Sequence, residues 1–298
     1  NGFLWIGTDN GLNVFDGYRV RSYFKEQYPG LCSNQITSLF CDSRNRLWAS
    51  SNSGTTLINT DRNFSIIILN DSVKSNYVSF EVFETKAIGI IQYTSKGNYS
   101  FDEKKGIWMS LPWSNKEFIS LAWRDHQPMD ENSFVETGRN KTIVLDYKLQ
   151  KKVFEFQRFF GISSCRLNDE EILLATFKGQ LIRINIRQQK MIKEYPLTTT
   201  INGREVNTEI AAIRKAANGD IIIGTSLGGI YTFNPATETF SQFIRSPMYT
   251  GPYAIHETGK IHCDSTGNVF IIEPGRRLLY FNVFKYNAGN IGNFSDNA

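Results

Sequence analysis

The side chains best suited to chemistry in this chain are three histidines, scattered carboxylates and a set of basic residues. His126, His256 and His262 are the only histidines, and none lies in a motif that pairs it with a nucleophile or a metal. Carboxylates such as Asp130 and Glu131 could pair for glycoside cleavage, although that arrangement leaves no linear signature. The sequence therefore favours a non-enzymatic protein, with a polysaccharide lyase or hydrolase as the lesser alternative.

The spacing of the cysteines and the lack of cofactor-binding motifs argue against a metal site or a cofactor. The four cysteines contain no C-x-x-C pair and have no histidine at metal-ligand spacing; they are Cys32, Cys41, Cys165 and Cys263. The sequence has no phosphate-binding loop and no Gly-x-Ser-x-Gly elbow. We expect no cofactor and no metal, and the even cysteine count leaves the disulfide state open.

Charge is balanced along the chain. Its 298 residues include 33 basic and 29 acidic side chains, which gives a formal net charge of +4. Nucleic-acid binding usually concentrates basic residues in one patch, and no basic run here exceeds a pair, so we expect no nucleic acid to bind. No apolar stretch approaches the roughly 20 residues that span a bilayer.

A short motif repeats along the chain and predicts the elements that hold these residues. Residues 4–17, LWIGTDNGLNVFDG, read as two apolar strands joined by a glycine turn, and residues 46–59 and 220–234 repeat the pattern. Equivalent strands recur at intervals of about 40 to 50 residues, near Trp5, Trp48, Ile90, Phe134, Leu173, Ile222 and Phe270. This spacing is typical of propeller blades, so we predict an all-β fold, a seven-bladed β-propeller of four-stranded antiparallel blades.

The chain divides into seven predicted blades, which we number one to seven. Their approximate bounds are 1–28, 35–69, 77–111, 117–157, 160–196, 208–245 and 255–287. Each blade has strands a to d in chain order, and residues 118–123 are the predicted strand a of blade four. Blade one has no strand a, and residues 288–298 are expected to link towards a further blade or to close the ring. This pattern is the one expected of a fragment from a longer chain.

Ligands of propellers generally meet the loops at one end of the sheets, here the b–c turns and the links from strand d to the next strand a. The polar candidates in the b–c turns are Asp9, Asn10, Asn52, Lys96, Arg139, Lys178 and Arg276. If the basic members converge, this end favours an anionic ligand through charge-assisted hydrogen bonds. The alternative is that these turn residues are charged because they are solvated.

Aromatic residues offer a second kind of contact. Trp113 and Tyr253 lie in links at the same end, where each could stack on a sugar or pack against a neighbouring blade. Trp5 and Trp48 occupy one position within the repeated motif, so we expect them to pack between blades. Gly7, in the same motif, is expected to permit close strand packing or a bulge.

The repeated motif resembles a known family. The LWIGT, GL and FD segments of residues 4–16, with related segments at 42–51 and 222–234, resemble the two-component regulator propeller repeat. The resemblance is specific in about three blades and rests on periodicity in the others. It implies a propeller from the periplasmic sensor region of a Bacteroides-type hybrid two-component system that is anchored in the inner membrane. It also implies a further propeller or an immunoglobulin-like domain, and a histidine kinase, in the same polypeptide.

Two functions follow from this resemblance. The first is an extracytoplasmic, non-enzymatic sensor domain that binds an oligosaccharide, with an anionic one favoured by the basic turns, and signals to the kinase. The second is a protein interaction or dimerisation propeller without a ligand of its own. Both use the loops at the ends of the blades, because the strands are occupied in forming the core.

Overall fold

The described part of the chain, in a computed structural model, consists almost entirely of β-strands. The structure describes residues 3–59, 61, 63–67, 77–113, 125–137, 141–157, 161–176, 178–201, 204–226, 229–244, 261–273, 277–285 and 292–295. The fold is the predicted seven-bladed β-propeller of antiparallel sheets. The chain divides into two compact units, Asn1–Ile119 with Tyr147–Lys151, and Ser120–Asp146 with Lys152–Ala298.

Blades one to three belong to the first unit. The described strands of blade one are β1 (Leu4–Thr8), β2 (Gly11–Phe15) and β3 (Val20–Tyr23), which by the repeated motif are its strands b, c and d. Blade two consists of β4 (Ile36–Cys41), β5 (Leu47–Ser51), β6 (Gly54–Ile58) and β7 (Phe64–Ile67). Blade three consists of β8 (Ser79–Thr85), β9 (Gly89–Thr94), β10 (Gly97–Asp102) and β11 (Ile107–Ser110).

Blades four to seven belong mainly to the second unit. Blades four and five consist of β12 (Asp125–Pro128), β13 (Ser133–Thr137), β14 (Lys141–Asp146), β15 (Lys151–Gln157), β16 (Gly161–Arg166), β17 (Glu171–Thr176), β18 (Gln180–Asn185) and β19 (Lys190–Pro196). A separate hairpin follows, formed by β20 (Thr198–Ile201) and β21 (Arg204–Asn207). Blades six and seven consist of β22 (Ile210–Lys215), β23 (Ile221–Thr225), β24 (Ile230–Asn234), β25 (Thr239–Ile244), β26 (Ile261–Cys263), β27 (Asn268–Glu273), β28 (Arg277–Asn282) and β29 (Gly292–Ser295).

This order gives every sheet two distinct ends. Because consecutive strands are antiparallel, the a–b and c–d turns lie at one end, which we call the a–b end. The b–c turns and the links between blades lie at the other, the b–c end. Strand a of four blades carries a β-bulge near the b–c end, where the register shifts between Ile36 and Ser38 in β4 and at the equivalent point of β8, β16 and β22. The bulge therefore belongs to the common plan of the blade.

The hydrophobic core of each unit lies between adjacent blades. Leu12 and Leu47 belong to a cluster shared by blades one and two, and Trp48 and Trp108 belong to one shared by blades two and three. Three further clusters join blades four with five, five with six, and six with seven. Strands inside the stack are therefore buried on both faces, as β5 and β6 are along their whole length.

The strands differ from the sequence prediction at three places. Strand a of blade four is β12 and not residues 118–123, which lie outside the described residues. Within the predicted link 288–298, β29 pairs with β28 and supplies strand d of blade seven. The hairpin β20–β21 was not predicted, although Asn202-Gly203 between its strands is a strong hairpin signal.

Candidate functional site

The b–c turns of the first unit share a four-residue plan, Thr/Ser-x-x-Gly. In blade one, Thr8 Oγ1 donates to the carbonyl oxygen of Gly11 at 2.9 Å and accepts from the backbone N–H of Asn10 at 3.1 Å. Ser51 and Thr94 make the same two bonds in blades two and three. The closing glycines all have positive φ angles, at Gly11, Gly54 and Gly97. The hydroxyl and the glycine thus fix each turn and leave its two middle residues to vary.

Those middle positions hold four of the nine predicted ligand-binding residues. Asp9, Asn10, Asn52 and Lys96 are exposed at the turn tips of the first unit. Asn52 is held by a hydrogen bond from its Nδ2 to Gln35 Oε1 in the link before strand a. Lys178 is exposed at the b–c turn of blade five in the second unit. The candidates Arg139, Tyr253 and Arg276 lie outside the described residues.

Trp113 lies in the link after blade three and packs against a second aromatic ring. Its indole meets Tyr147 edge to face, with ring centroids 5.3 Å apart, and Tyr147 meets Phe83 in the same way at 5.6 Å. Trp113 is half-buried, and its Nε1–H is buried without a hydrogen-bond partner among the described residues. Of the two roles open to Trp113, the structure therefore displays packing.

The motif tryptophans pack between blades, as predicted. Trp48 is fully buried beside Trp108 of blade three, with centroids 5.3 Å apart, and Trp5 stacks on Tyr23 at 5.8 Å within the cluster of blades one and two. Gly7 permits close packing of the next blade, because a Cβ atom there would lie 2.5 Å from Ile36 Cγ2. The motif is therefore architectural.

A buried carboxylate organises the a–b end of blade two. Asp42 accepts hydrogen bonds from the backbone N–H groups of Arg44 and Arg46 at 3.0 and 2.9 Å, from Arg46 Nε at 2.7 Å and from Trp48 Nε1 at 2.9 Å. Burial alone raises the pKa of Asp42, but these hydrogen bonds outweigh it and hold the pKa below its usual value. Arg46 also forms a two-bonded ion pair with Glu103 of blade three, at 3.0 and 2.8 Å.

The second unit contains a cavity at its own a–b end, with a volume of about 580 Å³. Strands β12, β16, β22 and β26, the a strands of blades four to seven, pack side by side, and their C-terminal ends line the cavity. Three cations stand in the lining, Arg166, Arg214 and Lys215, together with His262. A volume of this size is typical of small-molecule sites.

Burial favours the neutral forms of two further titratable groups of this cavity, His262 and Cys263. Desolvation lowers the pKa of His262; Asp264 opposes this shift, and the nearby Arg214 adds to it. Burial raises the pKa of the Cys263 thiol to about 11. The cavity thus combines fixed positive charge with an uncharged imidazole and thiol.

Sequence reasoning missed this cavity because its residues come from four blades and share no linear motif. Only the recurrence of basic residues at the ends of a strands, in Arg166 and in Arg214-Lys215, could have indicated it. His126 lies in β12, and His262, which lines the cavity, lies in β26.

Two carboxylates of blade four, the catalytic candidate Asp130 and Glu136 of β13, have structural surroundings. Asp130 accepts backbone hydrogen bonds from Asn132 and Ser133 in the a–b turn of blade four, at 2.7 and 2.8 Å, and Glu136 is fully buried in β13.

Over the ranges that the structure describes, no group of three or more His, Cys, Asp or Glu side chains is placed to hold a metal ion. Nor does any helix in those ranges have the length and apolar character required to cross a bilayer.

Comparison with protein families confirms the resemblance of the repeat. Residues 30–53 match the family described as two component regulator propeller. They comprise the end of the link after blade one, followed by strands a and b of blade two. This is the region that contains Asp42 and Trp48. A comparison with curated proteins finds no match.

Solved structures share the fold at low sequence identity. The extracellular domain described as that of a hybrid two-component system from B. thetaiotaomicron is 17% identical, with a TM-score of 0.67, over 99% of this chain and 45% of that one. PorZ of the type-IX secretion system of Porphyromonas gingivalis is 12% identical, with a TM-score of 0.62, over 87% of this chain and 33% of that one. The WD40 propeller domain of Doa1 is 12% identical, with a TM-score of 0.58, over 91% and 86%. The chain spans less than half the length of the first two.

Proposed function

We propose that this propeller is a non-enzymatic, extracytoplasmic sensor domain of a hybrid two-component system. The observation that carries the proposal is the match of residues 30–53 to the two component regulator propeller, in a fold similar to the extracellular domain of such a system. In the proposal the domain lies in the periplasm, is anchored to the inner membrane through the rest of its chain, and signals to a histidine kinase there. A further propeller or an immunoglobulin-like domain of the same polypeptide is its expected neighbour.

The proposed ligand is an oligosaccharide, bound at the b–c end. The exposed turn residues support this, because Asn52 and Lys96 present an amide and a cation on turns whose backbone is fixed by hydroxyl and glycine. Rigid turns lose little conformational entropy when they bind, and amide and ammonium groups are natural partners of sugar hydroxyls and carboxylates.

Calorimetry with a panel of neutral and acidic oligosaccharides tests the proposal on the 298-residue chain. Saturable binding that weakens about tenfold in Lys96→Ala, Arg139→Ala or Arg276→Ala supports it, since tenfold corresponds to the loss of one charge-assisted hydrogen bond. Lys104→Ala is the matched control for Lys96→Ala, because Lys104 is an exposed lysine of the first unit in a c–d turn at the a–b end. Turnover of any polysaccharide by the purified protein would contradict a non-enzymatic role.

An exposed apolar patch on blade one supports a second candidate, a dimerisation propeller. Val20 is 63% exposed and lines one surface depression together with Phe3, which is 43% exposed; Tyr18, two residues before Val20, is 94% exposed. Exposed apolar groups that cluster mark interaction surfaces. Sedimentation of Tyr18→Ser and Val20→Ser tests this function against Phe284→Ser, whose parent side chain is 62% exposed in the second unit. A monomer at high concentration in the unmodified protein would exclude it.

A further inference from the structure

The link between blades one and two ties the b–c turns of these blades together. The backbone N–H of Gly11, which closes the b–c turn of blade one, donates to the carbonyl oxygen of Asn34 at 2.7 Å. The next residue of the link, Gln35, accepts a hydrogen bond from Asn52 Nδ2 in the b–c turn of blade two. These contacts bring Asn10, Gln35 and Asn52 to one part of the b–c end, and all three residues are exposed.

Further hydrogen bonds orient this link and this turn. Ser53 Oγ donates to Asn52 Oδ1 at 3.1 Å, and the backbone N–H of Ser53 donates to Ser51 Oγ at 3.2 Å. In the link, the backbone N–H of Gln35 donates to Ser33 Oγ at 3.1 Å. Groups that are already oriented lose less conformational entropy when a ligand binds, so these polar side chains are preorganised for binding.

Asn52 and Gln35, which we call the amide pair, present a donor beside an acceptor. The bond between them engages Gln35 Oε1, so the groups that Gln35 offers to a ligand are the two N–H donors of its Nε2. Asn52 Oδ1 has two lone pairs, of which Ser53 uses one. Two hydroxyl groups on adjacent carbons of a sugar ring match such a pair, because each hydroxyl can both donate and accept a hydrogen bond.

The amide pair differs in charge from the basic turns. Its two side chains and the neighbouring Asn10 are uncharged, whereas the b–c turn of blade three carries the cation of Lys96. Hydrogen bonds between uncharged groups depend little on salt, whereas the attraction between a lysine and an anion is screened by it. The amide pair therefore suits a neutral sugar, and the salt dependence of binding distinguishes it from a basic turn.

From this arrangement we propose that the amide pair binds two adjacent hydroxyl groups of a neutral sugar residue, and that Gln35 is a ligand contact of the b–c end. Gln35 Nε2 donates to one hydroxyl oxygen, and Asn52 Oδ1 accepts from the other hydroxyl. The inference rests on the proposed function and deepens it, because it names the class of saccharide that this part of the b–c end recognises.

The experiment follows the binding of tetrasaccharides to the 298-residue chain by NMR, with side-chain amide signals as the direct readout. The probes are cellotetraose and mannotetraose, which are neutral and differ in hydroxyl configuration, and tetragalacturonate, which is acidic. The variants are Gln35→Met, which keeps an unbranched stem and removes the amide, and Asn52→Ala. Gln27→Met is the matched control, because Gln27 is an exposed glutamine of the same link.

We expect a neutral probe to shift the side-chain amide signal of Gln35 and to bind about tenfold more weakly to Gln35→Met. Asn52→Ala should lose about as much, since it removes the acceptor and the group that orients Gln35. Gln27→Met should stay within about twofold of the parent protein, and added salt should leave the affinity for the neutral probe unchanged. The three substituted residues are exposed, so the variants are expected to fold, which urea unfolding checks.

Three outcomes separate this inference from the proposed function. Neutral binding that is unchanged in both amide-pair variants, or that leaves the Gln35 amide signal unshifted, overturns the inference and leaves the sensor function standing. Binding of tetragalacturonate alone also overturns the inference, because recognition then depends on charge. If none of the three probes binds, the oligosaccharide ligand and the amide-pair site are both wrong.

Discussion

The carboxylate of Asp42 connects the turn, the motif tryptophan and the next blade. It accepts hydrogen bonds from Arg46 and Trp48, and Arg46 in turn reaches Glu103 of blade three. The arginine also lies over the ring of Trp48, 5.4 Å from its centroid. A single buried charge therefore fixes the local turn and contributes to the contact between two blades.

Asp42→Asn is expected to destabilise the protein by about 2 to 4 kcal/mol at neutral pH, because charge-assisted bonds to buried partners are lost. The folded pKa of Asp42 is depressed, so its contribution is present above the unfolded value of about 3.9 and is lost as pH falls through the folded pKa. Urea unfolding at several pH values should find the difference largest near pH 7 and small in acid. The exposed Asp9→Asn is the control and should stay within about 0.5 kcal/mol. A pH-independent difference for Asp42→Asn would contradict the electrostatic role.

Trp113 provides a second test at this scale. Trp113→Phe keeps the edge-to-face contact with Tyr147 and removes a buried N–H without a described partner, so we expect a change within about 1 kcal/mol. Trp113→Ala should cost about 2 to 4 kcal/mol, because it leaves a cavity beside Tyr147. Urea unfolding measures both variants. Equal losses in the two would mean that the indole nitrogen has a polar role.

At the scale of elements, the b–c turn of blade five has a constraint beyond its own sequence. Gly179 has a φ of +75°, and a Cβ atom there would lie 2.3 Å from the carbonyl oxygen of Thr208. The carbonyl oxygen of Gly179 also accepts from the N–H of Leu197, and that of Leu197 from the N–H of Thr208. The turn and the segments flanking β20–β21 therefore pack through backbone atoms.

Two glycine variants separate the cost of a positive φ angle from the cost of a clash with a neighbouring backbone. Gly219 in blade six has a φ of +90° with open space around its Cβ position, so Gly219→Ala should cost about 1 to 2 kcal/mol for the backbone conformation alone. Gly179→Ala adds a backbone clash and should cost about 3 kcal/mol or more. Urea unfolding of both variants gives the comparison. Equal losses would show that the close approach at Thr208 is relieved without cost.

Local chemistry made most of these elements predictable. Blade two was predicted closely because its strands pair with sequence neighbours and its turns contain Asp42 and a glycine, Gly54, at positive φ. The bulges of strand a were not predictable, since they depend on register against strand b rather than on residue type. The strand β29 pairs with β28 across a link of nine residues, from 283 to 291, that lacks a tight-turn signal. The cavity was hidden because it joins residues of four blades.

At the scale of the molecule, the two ends of the sheets carry different groups. At the b–c end, hydroxyl and glycine residues fix turns whose tips are exposed and variable. At the a–b end, buried and paired charges such as Asp42 and Arg46 stabilise the first unit, and the cationic cavity lies in the second. Because the inner strands between them are buried, as β5 and β6 are, ligand contacts are expected at these ends.

The four cysteines give a prediction for the whole chain. None forms a disulfide, and Cys32 and Cys165 are buried, Cys263 is half-buried and Cys41 is exposed. In an oxidising compartment, burial protects unpaired thiols from oxidation. Of the four cysteines only Cys41 is exposed, so Cys41 is the expected site of oxidation. Burial raises the pKa of Cys41, and the neighbouring Asp42 raises it further, which keeps the reactive thiolate scarce.

Reaction with a chromogenic disulfide reagent at about pH 8, without reductant, should therefore modify one thiol first in the folded protein. In concentrated guanidinium chloride all four should react. The first phase should accelerate as pH rises towards the raised pKa of Cys41 and disappear in Cys41→Ser, while Cys32→Ser should leave it unchanged. Fewer than four thiols in denaturant would mean that a disulfide forms, and a first phase that survives Cys41→Ser would mean that another cysteine is more accessible than the fold indicates.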